Sequence, residues 1–252
     1  MSDSKGLEVL VLGVGDAFSA LHYSTCLALR SAGQWLLIDC PHPIRKVLRE
    51  SSAKAGLELD AGDLAGVVIT HLHADHCSGL EGLGYFAHFA LGRRLPLLIH
   101  PAARERLWEG CLAAGMERLL PAVGQPANDM QLSDYFELRD LDLKAPVALG
   151  PFELSCRRTI HHVPTTALRI RAAGRELAYS ADTAFDRGLI DWLSAGDLVI
   201  HETNLGTHTP YEKLAELPPD LRAKMRLIHY PDGFADQERA IACLREGDLL
   251  EV

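Results

Sequence analysis

The feature that most constrains this chain is the run Thr70-His71-Leu72-His73-Ala74-Asp75-His76-Cys77-Ser78-Gly79-Leu80, which follows directly on the apolar Val67-Val68-Ile69. Three histidines and an aspartate fall within six residues. Neutral imidazole and ionised carboxylate are the groups that zinc and similar divalent metals prefer. A single histidine in such a place is usually a hydrogen-bonded core or surface residue. The joint pattern His-x-His-x-Asp-His, placed where an apolar strand stops, reads as a metal site.

A metal takes about four to six ligands, so this cluster alone cannot close two sites. Further His, Asp or Glu residues stand at other strand ends: His161-His162 after Ile160, Asp182 after Tyr179-Ser180, His201-Glu202 after Val199-Ile200, and His229 after Leu227-Ile228. Any one of these taken alone is as well explained by capping or by surface exposure. Their repeated position points to loops gathered on one edge of a sheet, where sites are commonly built.

The rest of the chain is compatible with that picture. Its 252 residues suffice for one large α/β domain, expected over residues 1–252. The formal charge of −9, without any basic run, weighs against a broad grip on nucleic acid, which is driven by phosphate neutralisation. Met1-Ser2-Asp3-Ser4-Lys5-Gly6 lacks the apolar core of a signal peptide, and no apolar segment approaches the ~18 residues needed to span a membrane. Six cysteines without a C-x-x-C pair read as reduced thiols, which makes the cytoplasm the expected location.

Strands are expected at Leu7–Leu12, Cys26–Arg30, Trp35–Ile38, Val67–Thr70, Leu95–Ile99, Phe136–Leu143, Phe152–Ile160, Thr165–Arg171, Glu176–Ser180, Leu198–Ile200 and Met225–Ile228. Gly13-Val14-Gly15 marks a tight turn but does not complete a dinucleotide fingerprint. Helices are expected after Pro43, after Ser78 as N-cap, through Leu107, Cys111 and Leu112, around Leu189–Leu193, and finally through Phe234, Ile241 and Leu244. Pro121–Asp134 reads as a loop. Trp35–Asp39 and Glu176–Asp182 echo one another, each a hairpin strand ending near an aspartate. Two such halves would give an α/β sandwich with two sheets face to face and helices outside.

These motifs resemble the metallo-β-lactamase superfamily, and within it the ribonuclease Z and phosphodiesterase branch. Ile69–Leu80 matches the superfamily motif, and Leu12-Gly13-Val14-Gly15 and Leu37-Ile38-Asp39-Cys40 are similar to the branch's first strands. His161-His162-Val163-Pro164 with Arg169 resembles the third ligand motif; its spacing selects His161, with His162 as the alternative. Ser180-Ala181-Asp182-Thr183, His201-Glu202-Thr203-Asn204 and Leu227-Ile228-His229-Tyr230 resemble the remaining motifs. The resemblance implies a four-layer αββα sandwich holding two divalent ions, zinc first, with manganese or iron as alternatives. His71, His73 and His161 would hold one metal and Asp75, His76 and His229 the other, with Asp182 between them. A hydroxide bridging two dications roughly 3.5–4 Å apart would be the nucleophile. Asp75 would orient it, and His208, supported by Glu202, would stabilise the transition state or protonate the leaving group.

The chain departs from ribonuclease Z in two places. Only 182 − 161 = 21 residues separate the third histidine motif from the bridging aspartate, too few for a tRNA-gripping arm. Asp39-Cys40-Pro41-His42-Pro43 replaces glycines with stiffer prolines, which raises the question whether His42, or His22 near Phe18, lines the pocket. The expected function is therefore a dinuclear-metal hydrolase acting on a small phosphodiester or related ester. The alternatives are a tRNA 3′-end endonuclease, a lactone or thioester hydrolase, and a non-catalytic metal-binding protein. A homodimer is left open.

Overall fold

A computed structural model describes residues 6–252. The expected leaderless opening at Met1–Lys5 lies outside the described residues. The strands are β1 (Glu8–Gly13), β2 (Cys26–Ser31), β3 (Gln34–Ile38), β4 (Leu64–Ile69), β5 (Leu95–Ile99), β6 (Arg118–Leu119), β7 (Asn128–Asp129), β8 (Phe136–Asp140), β9 (Val147–Leu149), β10 (Phe152–Arg158), β11 (Thr166–Ala172), β12 (Arg175–Tyr179), β13 (Leu198–Glu202), β14 (Met225–Ile228), β15 (Ala242–Cys243) and β16 (Leu249–Glu251). One sheet runs β16-β1-β2-β3-β4-β5-β8 and the other β15-β14-β13-β12-β11-β10-β9, while β6 and β7 form a separate ribbon.

Alternation along the strands sorts their side chains into two faces. Val9, Leu27, Leu36, Ile38 and Val68 of the first sheet meet Leu168, Ile170, Leu177 and Ile200 of the second in one buried cluster. Their neighbours Leu10, Leu37, Val67 and Ile69 pack outward against Val47, Leu48, Leu80 and Leu83, which lie on helices Ile44–Lys54 and Leu80–Phe86. On the far side Ala178, Val199 and Leu227 meet Leu189, Ile190 and Leu193 of helix Arg187–Leu193. Both faces of both sheets are covered, which is the expected αββα sandwich.

Each sheet is mixed. β3, β4, β5 and β8 are parallel, as are β12, β13, β14 and β15, while the hairpins β1-β2-β3 and β10-β11-β12 are antiparallel. Parallel strands bring their carboxyl ends to one edge. That edge collects Asp39, His71, Asp182, Glu202 and His229, at or just beyond the ends of β3, β4, β12, β13 and β14. Asp39 (φ 61°), Ala181 (φ 49°) and His229 (φ 58°) hold left-handed backbone there, so local strain concentrates at the candidate site.

Four local expectations change. No helix carries Phe234, Ile241 and Leu244: the segment has only the short turn Phe234–Asp236, and then β15 pairs with β14. The hydrogen-bonding edge of β14 outweighed the helical spacing, since Ile241 and Leu244 still reach the core. Cys111 is exposed because Trp108–Leu112 widens into a π-turn that rotates it off the apolar face. Ser78 does not cap helix Leu80–Phe86; Gly79 holds that place, and the Ser78 hydroxyl accepts from the His42 N–H at 3.0 Å. Within Pro121–Asp134 lie β7 and the start of the short helix Leu132–Tyr135, where Asp134 Oδ2 accepts from the Gln131 N–H.

Candidate metal centre

The central motif leaves β4 and turns into the short helix Ala74–Cys77. Two backbone contacts clamp that helix to the loop after β3: Cys40 N–H donates to the His76 carbonyl and Gly79 N–H to the Cys40 carbonyl, each at 2.7 Å. Glycine is required at 79, since a Cβ there would lie 2.6 Å from the Pro41 carbonyl oxygen and 2.8 Å from that of Cys40.

Three nitrogens converge around the first candidate position. His71 Nε2 lies 3.0 Å and His161 Nε2 3.2 Å from His73 Nδ1. Asp182 Oδ2 stands 3.6 Å from His71 Nε2 and 3.8 Å from His161 Nε2. On the other side His76 Nε2 is 3.3 Å from Asp75 Oδ2 and 3.4 Å from Asp182 Oδ1, and His229 Nε2 is 3.5 Å from Asp182 Oδ2. His71, His73, His161 and Asp182 form one group whose ligand atoms all lie within 4.8 Å, and Asp75, His76 and His229 form another. His162 falls in neither: its Nε2 meets His73 Nε2 at 2.9 Å and its ring packs beside His161.

The hydrogen-bond network aims these imidazoles. The Thr70 hydroxyl donates to Asp39, leaving its oxygen to accept from His71 Nδ1 at 3.0 Å. The Thr25 hydroxyl donates to the Gly15 carbonyl and accepts from His229 Nδ1 at 3.1 Å. His76 Nδ1 lies 2.8 Å from Asp39 Oδ2. In each ring Nδ1 holds the proton, so the Nε2 lone pair points inward. Lone pairs and carboxylate oxygens facing one another at such distances repel, and a cation between them turns repulsion into attraction. His76 Nε2 and Asp182 Oδ1 are moreover buried without a hydrogen-bond partner. The donor set fits divalent metal.

The electrostatics agree. Burial pushes the His161 imidazole down to about 3 and His229 to about 4, and His71 well below the ordinary value, so all three are neutral, the form that can donate a lone pair to a cation. His76 is the exception: burial lowers it, but Asp182 and Asp39 outweigh burial and hold that imidazole well above its usual range, so a cation on its Nε2 would displace a proton. Asp182 is pushed up by burial, with His76 opposing. Burial would raise Asp75 too, yet the His76 hydrogen bond and charge hold it below the usual carboxylate range. Over the cluster, Glu202 Oε1 accepts from His208 Nδ1 at 3.0 Å and from the Thr183 N–H at 2.9 Å. The Glu202 hydrogen bond raises the His208 pKa, against burial.

Residues 7–245 match the family described as Anti-Pycsar protein Apyc1. The chain belongs to that family. A relative bearing the same description, from Bacillus phage 010DV004, is 34% identical over 244 residues, covering 91% of each chain. Among solved structures, the metallo-β-lactamase fold protein YhfI from Bacillus subtilis superposes with a TM-score of 0.79 at 20% identity, over 98% of this chain and 100% of that one. The short form of human tRNase Z superposes with a TM-score of 0.65 at 20% identity, over 96% and 98%. At such identities the likeness shows the fold, and that fold is the metallo-β-lactamase fold.

In this Apyc1-family chain a cavity of about 380 Å³ opens over the cluster, lined by Asp16, Phe18, His73, Asp75, His162, Asp182, Asn204, His208 and His229 among others. His22 and His42 are not among its lining residues; His22 lies edge-on to Tyr230, 3.9 Å from Glu246. His201 is buried with Nδ1 on the Glu202 carbonyl and joins no ligand group. The residues beneath the cluster, Asp39, Thr70 and Thr25, were not singled out from sequence as site residues. The one available signal was Asp39 at a strand end, echoing Asp182. No helix among the described residues is long and apolar enough to cross a membrane.

Proposed function

We propose that this chain is a dinuclear-metal phosphodiesterase acting on small phosphodiesters. The observation that carries the reading is the position of Asp182, whose two oxygens face imidazoles of both ligand groups. His71, His73 and His161 would hold one ion, Asp75, His76 and His229 the second, and Asp182 both. Zinc suits this set of imidazoles and carboxylates, and manganese or iron are accommodated by the same donors. Bound there, two dications lower the pKa of water and polarise a phosphoryl oxygen.

The remaining work falls to side chains. His208 lines the cavity above Asp182, with Glu202 holding its imidazole in the protonated form to higher pH than usual. Its Nε2–H can donate to a phosphoryl oxygen or pass a proton to the departing alkoxide. Asp75, ionised and partly buried beside His76, can accept a proton from attacking water. A cavity of about 380 Å³ suits a ligand of mononucleotide size. The simple hairpin β11–β12 and a formal charge of −9 offer a tRNA neither an arm nor a basic track.

The test is a substrate panel with metal-loaded and chelator-treated protein: bis(p-nitrophenyl) phosphate, cyclic mononucleotides, an acyl lactone, a thioester and a tRNA precursor with a 3′ trailer. The proposal expects metal-dependent turnover of the first two. Cleavage of the trailer, or turnover of the carbonyl esters alone, would overturn it.

A further inference from the structure

Phe18 is 92% exposed, yet it lines the mouth of the cavity that holds His73, Asp75, Asp182 and His208. An aromatic ring left in water forgoes roughly 1.5–3 kcal/mol of burial. Loose surface loops carry such residues often enough, but this loop is braced. Buried Asp16 accepts the Phe18 N–H on Oδ1 at 2.9 Å and the Asn204 side-chain amide on Oδ2 at 3.0 Å. Asp232 accepts the Ser19 hydroxyl and the Ala20 N–H, the latter at 2.8 Å. A Cβ at Gly15 would lie 2.6 Å from Ser19 Cβ, so the two legs of the loop are in tight contact. Two segments about two hundred residues away in sequence thus fix the backbone that presents the ring.

From this geometry we infer that Phe18 is a specificity-determining aromatic platform on which a flat substituent of the phosphodiester, such as a nucleobase, stacks while the phosphate sits at the cluster. The inference rests on the phosphodiesterase reading above. Its chemistry is sequence-tolerant, because purines and pyrimidines both offer a π-face. A neighbouring hollow of about 220 Å³, lined by Leu205, Tyr211 and Phe234, shares Asn204 with the metal cavity and is the competing seat for the same group.

The experiment compares, in metal-loaded protein, adenosine and uridine 3′,5′-cyclic phosphates with the base-free methyl riboside 3′,5′-cyclic phosphate. Phe18→Ala is expected to lower the ratio of kcat/KM for base-bearing over base-free substrate roughly tenfold or more, through KM. Phe18→Tyr should keep the ratio and Phe18→Leu should not. An unchanged ratio in Phe18→Ala would overturn the platform while leaving phosphodiesterase activity standing. A ratio that moves in Leu205→Ser instead would place the group in the hollow and overturn it as well. Should Phe18→Ala change the solution mass and not the ratio, the ring is an interface residue and the inference fails. Wild-type protein inert toward all three but active on bis(p-nitrophenyl) phosphate would overturn the platform and leave the phosphodiesterase reading standing; protein inert toward that diester as well would remove both.

Discussion

Asp39 Oδ2 lies 2.8 Å from His76 Nδ1, and neither side chain is exposed to solvent. The same carboxylate accepts the Thr70 N–H at 2.8 Å and the Thr70 hydroxyl at 2.9 Å, so one buried acid orders the base of both candidate metal positions. Asp39 reaches His76 directly and His71 through Thr70.

This predicts that Asp39→Ala weakens metal binding without removing a ligand. Loss of such an outer partner typically lowers metal affinity about 10–100-fold. Competition with a chromogenic chelator measures it directly. Affinity equal to wild type would show that Asp39 serves packing alone.

His161 and His162 should separate cleanly. His161 Nε2 faces Asp182 and His73 Nδ1, whereas His162 meets the outer nitrogen of His73 and packs its ring on His161 without joining either ligand group. His161→Ala is expected to lose one of two metal equivalents and nearly all turnover, and His162→Ala to keep both metals. Metal analysis of the two variants decides, and the reverse pattern would reassign the ligand.

The alkaline limb of the pH profile should report His208. Its pKa is raised chiefly by the Glu202 hydrogen bond, so its proton is retained above the ordinary histidine value and is lost as pH rises through the folded-state pKa. The stability contributed by the His208–Glu202 pair follows the same sign: complete below the unfolded-state value, lost on the alkaline side. Glu202→Gln removes the charge that holds the proton, so the alkaline limb of kcat should move to lower pH. A profile that does not move would separate His208 from the chemistry.

Metal removal should destabilise the fold. Asp39, Asp75 and Asp182 gather beside buried imidazoles, and His76 Nε2 and Asp182 Oδ1 otherwise have no hydrogen-bond partner. For a metal present at a thousand times its dissociation constant, the linkage amounts to about 4 kcal/mol, or on the order of 10 °C in Tm for a chain of this size. Thermal melts with and without chelator measure it.

The sandwich was legible because its strands are long, apolar and punctuated: every major strand of both sheets was expected near its observed place. The grouping of His71, His73, Asp75 and His76 was legible because metal-binding side-chain types are packed into six residues. The C-terminal region was not. Ile241 and Leu244 sit at a spacing that a helix and a short strand with a turn both satisfy, and only the free edge of β14 chooses between them. Asp39 was visible as an acid at a strand end, but its role depends on a partner 37 residues away. Phe18 is one of several apolar residues in the loop between β1 and β2, and nothing local announces that Asn204 and Asp232 hold it at the cavity mouth.

Asp182 is proposed to join two metal positions. Elemental analysis of the purified, metal-loaded chain alongside Asp182→Ala tests it most directly. A bridging Asp182 requires two equivalents of divalent metal per wild-type chain, and a folded Asp182→Ala variant that retains at most one and turns over no phosphodiester. A wild-type chain saturating at one equivalent or none, or an Asp182→Ala variant that keeps two and remains active, would contradict it.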